Sequence, residues 1–186
     1  MSLLIIWITV AQVVVYGLLT RGLPAFFNQA RECWGVSSSR HRAVQSIALI
    51  IAVSIGSLLL SSSVVDPEWS NRLQHALGGG FVSAVVCFLA FRDSGLLAKV
   101  GRTRFAVSSF FLVIALGVFN EVAEFILQNY FDLRFASTIN DTWLDLISNI
   151  VGLILGLGMG IGLFKFSQVK NFVNSDLGDE VGEVTD

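Results

Sequence analysis

The chain has 186 residues, of which 54% are hydrophobic and only 14% charged, with a formal net charge of −2. An average soluble domain carries roughly 25% charged residues, so this composition excludes an ordinary soluble globule and leaves a membrane protein. It also gives no case for nucleic-acid binding, which needs a concentrated basic surface and a recognisable module.

Five apolar stretches take up most of the length, at approximately 3–19, 43–60, 73–91, 105–128 and 143–164. Each is near the ~20 residues that cross a hydrocarbon core of about 30 Å as a helix. The predicted fold is therefore all-α: a polytopic bundle of about five transmembrane helices, forming a single domain over residues 1–170. The first stretch has no basic region ahead of it and no small-residue cleavage site before Arg21, so it reads as an uncleaved span rather than a signal peptide. After it, Phe27, Ala30 and Trp34 recur at helical spacing, which fits either an interfacial helix or a loop with aromatic anchors at the headgroups. The polar stretch 61–69 contains Pro67 and reads as a crossing without regular secondary structure. A longer connection, 129–142, holds Asp132, Arg134, Asn140 and Asp141. Residues 171–186 are rich in Asp, Glu, Gly and Ser and read as a disordered acidic tail.

Lysine and arginine set the expected orientation. Arg21, Arg31, Arg40 and Arg42 follow the first stretch, and Arg92, Lys99, Arg102 and Arg104 follow the third. Lys165 and Lys170 follow the fifth, whereas the two opposite connections hold essentially Arg72 and Arg134. The positive-inside rule then puts the amino terminus outside and the carboxyl terminus in the cytoplasm. Cys33 and Cys87 have neither disulfide-framework nor metal-ligand spacing, and Cys87 reads as a small packing residue of the third span.

The informative residues are ionisable groups inside apolar stretches, which are expensive there and mark a site by default. Gly117, Glu121, Glu124 and Gln128 follow one another at four, three and four residues, on one face of the fourth helix. Asp141, Asp145 and Asn149 are four apart, and Gly152, Gly156 and Gly160 continue their stripe, whose small residues let helix backbones approach closely. His75, Gly79 and Ser83 repeat the pattern on the third helix. At a rise of ~1.5 Å per residue, His75, Glu124 and Asp145 lie about one turn, and Glu121 about two turns, from the outer ends of their spans.

His75, Glu121, Glu124, Asp141 and Asp145 are thus candidate ligands of a divalent cation, with the oxygen-rich set suited to Mg or Mn and the imidazole admitting Zn. Such an ion would polarise a phosphoryl or carbonyl oxygen or activate a water. Within that scheme Glu121, Glu124 and Asp145 are the candidate catalytic carboxylates, one of them a general base. Gln128, Asn149 and Arg134 are candidate substrate contacts, the guanidinium suiting a phosphate. The same groups could serve as interhelical hydrogen-bond glue. They could also form a proton or cation pathway, against which stands the inner half of the spans, read as glycine and aliphatic beyond Glu121 and Asn149.

Asn71-Arg72-Leu73-Gln74-His75, Asn120-Glu121-Val122-Ala123-Glu124 and Asp141-Thr142-Trp143-Leu144-Asp145, in this order, resemble the YjdF-type bacterial inner-membrane proteins over roughly residues 71–156. In the connection before Asp141, Ser137-Thr138-Ile139-Asn140 replaces the stretch with glycine and glutamine found in those proteins. A weaker likeness runs to VanZ-like membrane proteins, carried by Glu124, Gln128, Arg134, Asp145, Asn149 and Gly152. The first resemblance implies a multi-pass protein of the bacterial inner membrane, and the second a role in the cell envelope. Three readings of function follow. One is a metal-dependent enzyme acting on a lipid or lipid-linked phosphate; another is a cation- or proton-coupled transporter. The third is a structural or assembly subunit that oligomerises through Gly152, Gly156 and Gly160.

Overall fold

The structure is a computed structural model that describes the backbone of residues 2–27, 38–131 and 139–180, and the side chains of residues 7–27, 40–131 and 140–163. The described backbone is helical, with no strand: α1 (Ser2–Phe26), α2 (Ser38–Ser62), α3 (Pro67–Gln74), a π-helical segment (His75–Phe81), α4 (Val82–Asp93), α5 (Leu97–Phe131) and α6 (Ile139–Glu180). Five helical rods are long and apolar enough to cross a membrane: Trp7–Phe26, Arg40–Ser62, Pro67–Asp93, Leu97–Phe131 and Asn140–Leu163. Phe111, Phe119, Phe125, Ile154 and Leu155 face outward, as a lipid-bathed surface requires.

The third rod is the centre of the bundle. Val82, Ala84, Val86, Cys87, Leu89, Ala90 and Phe91 are all buried, because α4 is flanked by α1, α2, α5 and α6 and has little side left for lipid. Phe91 meets Phe105 edge to face at 5.3 Å between ring centroids, and Phe88 meets the same ring at 6.0 Å. Cys87 is a free, fully buried thiol in this layer, in keeping with a packing role. Gly95, at φ +73°, turns the chain out of α4 in the left-handed conformation that suits glycine. Gly101, at φ +70°, breaks the helical path of α5 near its start.

One expectation about the connections changes. The stretch 61–69 is not an irregular crossing. Helix α2 continues to Ser62, and Pro67 occupies the first turn of α3, where its missing N–H has no partner to lose. Asp66 caps that turn, its carboxylate accepting from the amides of Glu68 at 2.9 Å and Trp69 at 3.1 Å. The backbone of α6 runs to Glu180, into the stretch expected to be a disordered tail, although its side chains beyond residue 163 lie outside the described residues. Also outside are the part of the expected interfacial segment beyond Phe27, with Ala30, Cys33 and Trp34, and the connection 132–138, with Asp132 and Arg134.

The π-helical segment changes a face assignment. The amide of Val82 donates to the carbonyl of Leu77, five residues back, so the third rod is locally wider than an α-helix. A four-residue interval therefore no longer keeps His75, Gly79 and Ser83 in line. Gly79 faces α6, whereas Ser83 faces α1 and accepts from Gln12 Nε2 at 3.0 Å. The same Gln12 nitrogen lies 3.3 Å from the Gly78 carbonyl.

Candidate metal centre

Glycine sets the positions of the ionisable groups. The π-helical segment carries Gly78, Gly79 and Gly80, and α6 crosses it at Asn149 and Gly152. A methyl group placed on Gly152 would lie 1.6 Å from the Ala76 carbonyl oxygen, and one on Gly80 would lie 2.1 Å from the Asn149 carbonyl oxygen. Backbone touches backbone here. Gly156 continues the seam against Ala84, and Gly160 rests near the rings of Phe105 and Phe88. The stripe that could have mediated oligomer contacts thus packs within the chain.

This approach carries Asp145, two turns before Gly152, to the start of the π-helical segment. His75 Nε2 lies 3.4 Å from Asp145 Oδ2, and His75 Nδ1 lies 3.8 Å from Glu121 Oε1 of α5. Glu121 is 8% exposed and Asp145 2%, so both carboxylates are withdrawn from bulk water and lipid alike. Both separations exceed hydrogen-bond length, yet they suit ion pairing or a shared ion. One ligand atom from each of His75, Glu121 and Asp145 can be chosen such that all lie within 4.8 Å of one another. Glu121 Oε1 and Asn149 Oδ1 are buried without a hydrogen-bond partner, a condition that costs about 1–3 kcal/mol each. A cation among these oxygens would relieve the first of these costs directly.

The set fits a divalent cation with three protein ligands and open positions. The imidazole has a carboxylate at each nitrogen. Asn71 Nδ2 donates to Asp145 Oδ1 at 3.0 Å and so orients the carboxylate from outside the triad. Asn71 was not singled out from the sequence. It appears there only within the Asn71–His75 segment of the resemblance, with no role given, four residues before His75 and one helical turn away on the same face.

The other anticipated site residues fall around this centre. Glu124 is half-buried one turn beyond Glu121 and accepts from Asn120 Nδ2 at 2.7 Å. Asp141 lies in the first turn of α6, where a negative charge complements the helix dipole. Neither belongs to the group of three closely spaced ligands. Asn149 is buried one turn past Asp145, its amide between Gly79 and Gly117. Gln128 is half-buried two turns beyond Glu121.

The end of the bundle opposite the triad is more polar than the expected glycine and aliphatic residues of the later spans. Asp93, at the end of α4, accepts from Tyr16 Oη at 2.7 Å, from Arg92 Nε at 2.9 Å, and from Ser46 Oγ. Arg92 also donates to Ser46 Oγ at 2.8 Å. The residues come from α1, α2 and α4, and α1 and α2 carry no carboxylate, which is why the carboxylate pattern of the later spans gave no sign of them.

A family model described as a predicted membrane protein family, DUF2238, matches residues 3–166. The chain belongs to this family. The match covers all five spans, well beyond the stretch 71–156 over which the sequence resemblance ran, and with the five apolar rods it makes the protein a multi-pass membrane protein. No curated protein and no solved structure matches the chain.

Proposed function

We propose that this DUF2238 protein holds a divalent cation between His75, Glu121 and Asp145 and uses it to act on a lipid or lipid-linked phosphate of the cell envelope. The observation that carries the reading is the convergence of one imidazole and two buried carboxylates from three helices, with Glu121 Oε1 lacking a hydrogen-bond partner. Buried carboxylates that merely joined helices would be expected to complete their hydrogen bonds. The cation, when bound, would polarise the phosphoryl oxygen and an attacking water. Glu124, outside the triad but on the same helix, is the carboxylate best separated from ligand duty and is assigned the general-base role. Asp141, Gln128 and Asn149 border the site, and Arg134 remains a candidate phosphate contact. The distribution of arginine and lysine supports an extracytoplasmic position for the centre. The resemblance to YjdF-type and VanZ-like proteins is consistent with an inner-membrane location.

Metal analysis of the purified protein after exposure to Mg, Mn or Zn tests this reading. A stoichiometric ion is expected in the parent, with marked loss in Glu121→Gln and Asp145→Asn. No bound ion under any of these conditions ends the metalloenzyme reading.

A second reading, coupled cation or proton transport, is favoured by the polar groups on the other half of the bundle: Gln12 against Ser83, and Tyr16, Ser46 and Arg92 around Asp93. Phosphate release from lipid substrates, measured beside ion flux in proteoliposomes, separates the two.

A further inference from the structure

A second feature lies at the same end of the bundle. A mainly apolar groove of about 470 Å³ runs between the α3–π rod and α6, lined in part by Val64, Leu73, Ala76, Ile147 and Val151, with Trp69 and Arg72 on its α3 wall. Its volume falls in the roughly 300–1,000 Å³ range of small-ligand sites. Arg72 is held over the Trp69 ring, its guanidinium carbon 5.1 Å from the ring centroid, and lies 3.6 Å from Glu68. The Glu68 side chain is 82% exposed, so that ion pair is weak, and the other charged neighbour of the guanidinium is Asp145 of the acidic centre. Trp69 is itself 62% exposed, as befits an aromatic anchor at the membrane interface.

We propose that this groove is a binding site for one membrane lipid with an anionic phosphate headgroup, its acyl chain lying along Ala76, Ile147 and Val151 and its phosphate held by Arg72. Two observations select this occupant. The groove is mainly apolar and lies on an apolar span, where the surrounding solvent is lipid chains. The cation on its wall belongs to the residue next to Asn71, whose amide donates to Asp145. A headgroup on Arg72 therefore sits beside the acidic centre, with a guanidinium fork suited to phosphate oxygens. Ile147 and Ser148, on the opposite wall, follow Asp145 by two and three residues, so the same stretch of α6 serves groove and centre. The inference deepens the lipid–phosphate reading above and rests on it for function, but binding can be measured without metal or turnover.

The test uses the full chain with Trp69 as its only tryptophan, through Trp7→Phe, Trp34→Phe and Trp143→Phe, reconstituted in phosphatidylcholine vesicles. Brominated-chain phosphatidic acid or brominated-chain phosphatidylcholine is titrated in the presence of a chelator, and Trp69 quenching is read. Several-fold steeper quenching by phosphatidic acid is expected. Arg72→Gln should abolish that difference, Arg72→Lys should keep part of it, and excess inorganic phosphate should leave it in place. Equal quenching by the two lipids in the parent overturns the proposal, as does a preference unchanged in Arg72→Gln or one abolished by inorganic phosphate. If Arg72→Gln fails to fold, the parent and Arg72→Lys titrations still decide. Glu121→Gln should retain the lipid preference. A protein that binds metal without preferring the anionic lipid thus refutes this site alone, and one that prefers the lipid without binding metal refutes only the metal centre.

Discussion

Substituting Gly152 by alanine tests the link between helix packing and the acidic centre, because Gly152 lies two turns from Asp145 and is itself no ligand. The added methyl group would sit 1.6 Å from the Ala76 carbonyl oxygen and 2.6 Å from its carbon, where ordinary contact begins near 3.4 Å. The shortfall is 3.4 minus 1.6, or 1.8 Å, and it is against backbone, so no rotamer change relieves it. Helix α6 and the π-helical segment must separate, and the 3.4 Å approach of His75 to Asp145 opens with them. Overpacking of this kind costs about 1–3 kcal/mol, and the backbone clash puts Gly152→Ala at the upper end. Gly156→Ala meets the Ala84 methyl at 2.5 Å and should cost less. Gly158→Ala has nothing within 4 Å and should be neutral, or gain up to about 1 kcal/mol of helix propensity. Thermal unfolding in detergent, read beside metal affinity, should therefore rank the variants 158, 156, 152 from most to least stable, with the largest loss of metal at 152. If Gly152→Ala unfolds at the parent temperature and binds metal as the parent does, the close crossing is not what builds the site.

Three further outcomes follow from named contacts. Asn71→Ala removes the 3.0 Å donor to Asp145 and should weaken metal binding roughly 10- to 100-fold, read by competition with a chelating dye. Asp66→Ala removes the cap of α3 and should lower stability by about 1 kcal/mol in thermal unfolding, with a smaller change in metal affinity than Asn71→Ala causes. Asp93→Ala leaves Tyr16, Ser46 and Arg92 without their common acceptor and should cost about 3–5 kcal/mol, whereas Tyr16→Phe, which deletes a single bond to a charged group, should cost about 1.5–3 kcal/mol. Equal stability of these two variants would mean that Asp93 is not the hub of that cluster.

What could be read from the sequence and what could not divide along a physical line. Spans were legible because a bilayer demands about twenty apolar residues per crossing, and the small-residue stripe of α6 was legible because close helix crossings need it. The triad was legible in its members, since His75, Glu121 and Asp145 are ionisable groups at apolar positions. Periodicity could not show which of five candidates meet. That depends on how α6 crosses the third rod, and the crossing runs over a π-helical segment that displaces Ser83 toward α1. The cluster at Asp93 escaped notice for a related reason: its partners Tyr16 and Ser46 are neutral residues, on helices whose only charges, Arg21, Arg40 and Arg42, bear on orientation rather than on a site.

The π-helical segment also explains why three glycines stand together three to five residues after His75. A run of Gly78, Gly79 and Gly80 weakens any helix, since glycine loses about 1 kcal/mol against alanine at each position. The run is tolerated because it admits Asn149 and the α6 backbone, which alanine at 79 or 80 would exclude at 2.0 and 2.1 Å. A segment optimised only for helix stability would hold α6 farther away, and His75 would then have no carboxylate from that helix within reach. Local helix stability has thus been given up where it permits the meeting of one imidazole with two buried acids, the pattern expected when a wide helical turn serves a site rather than the fold.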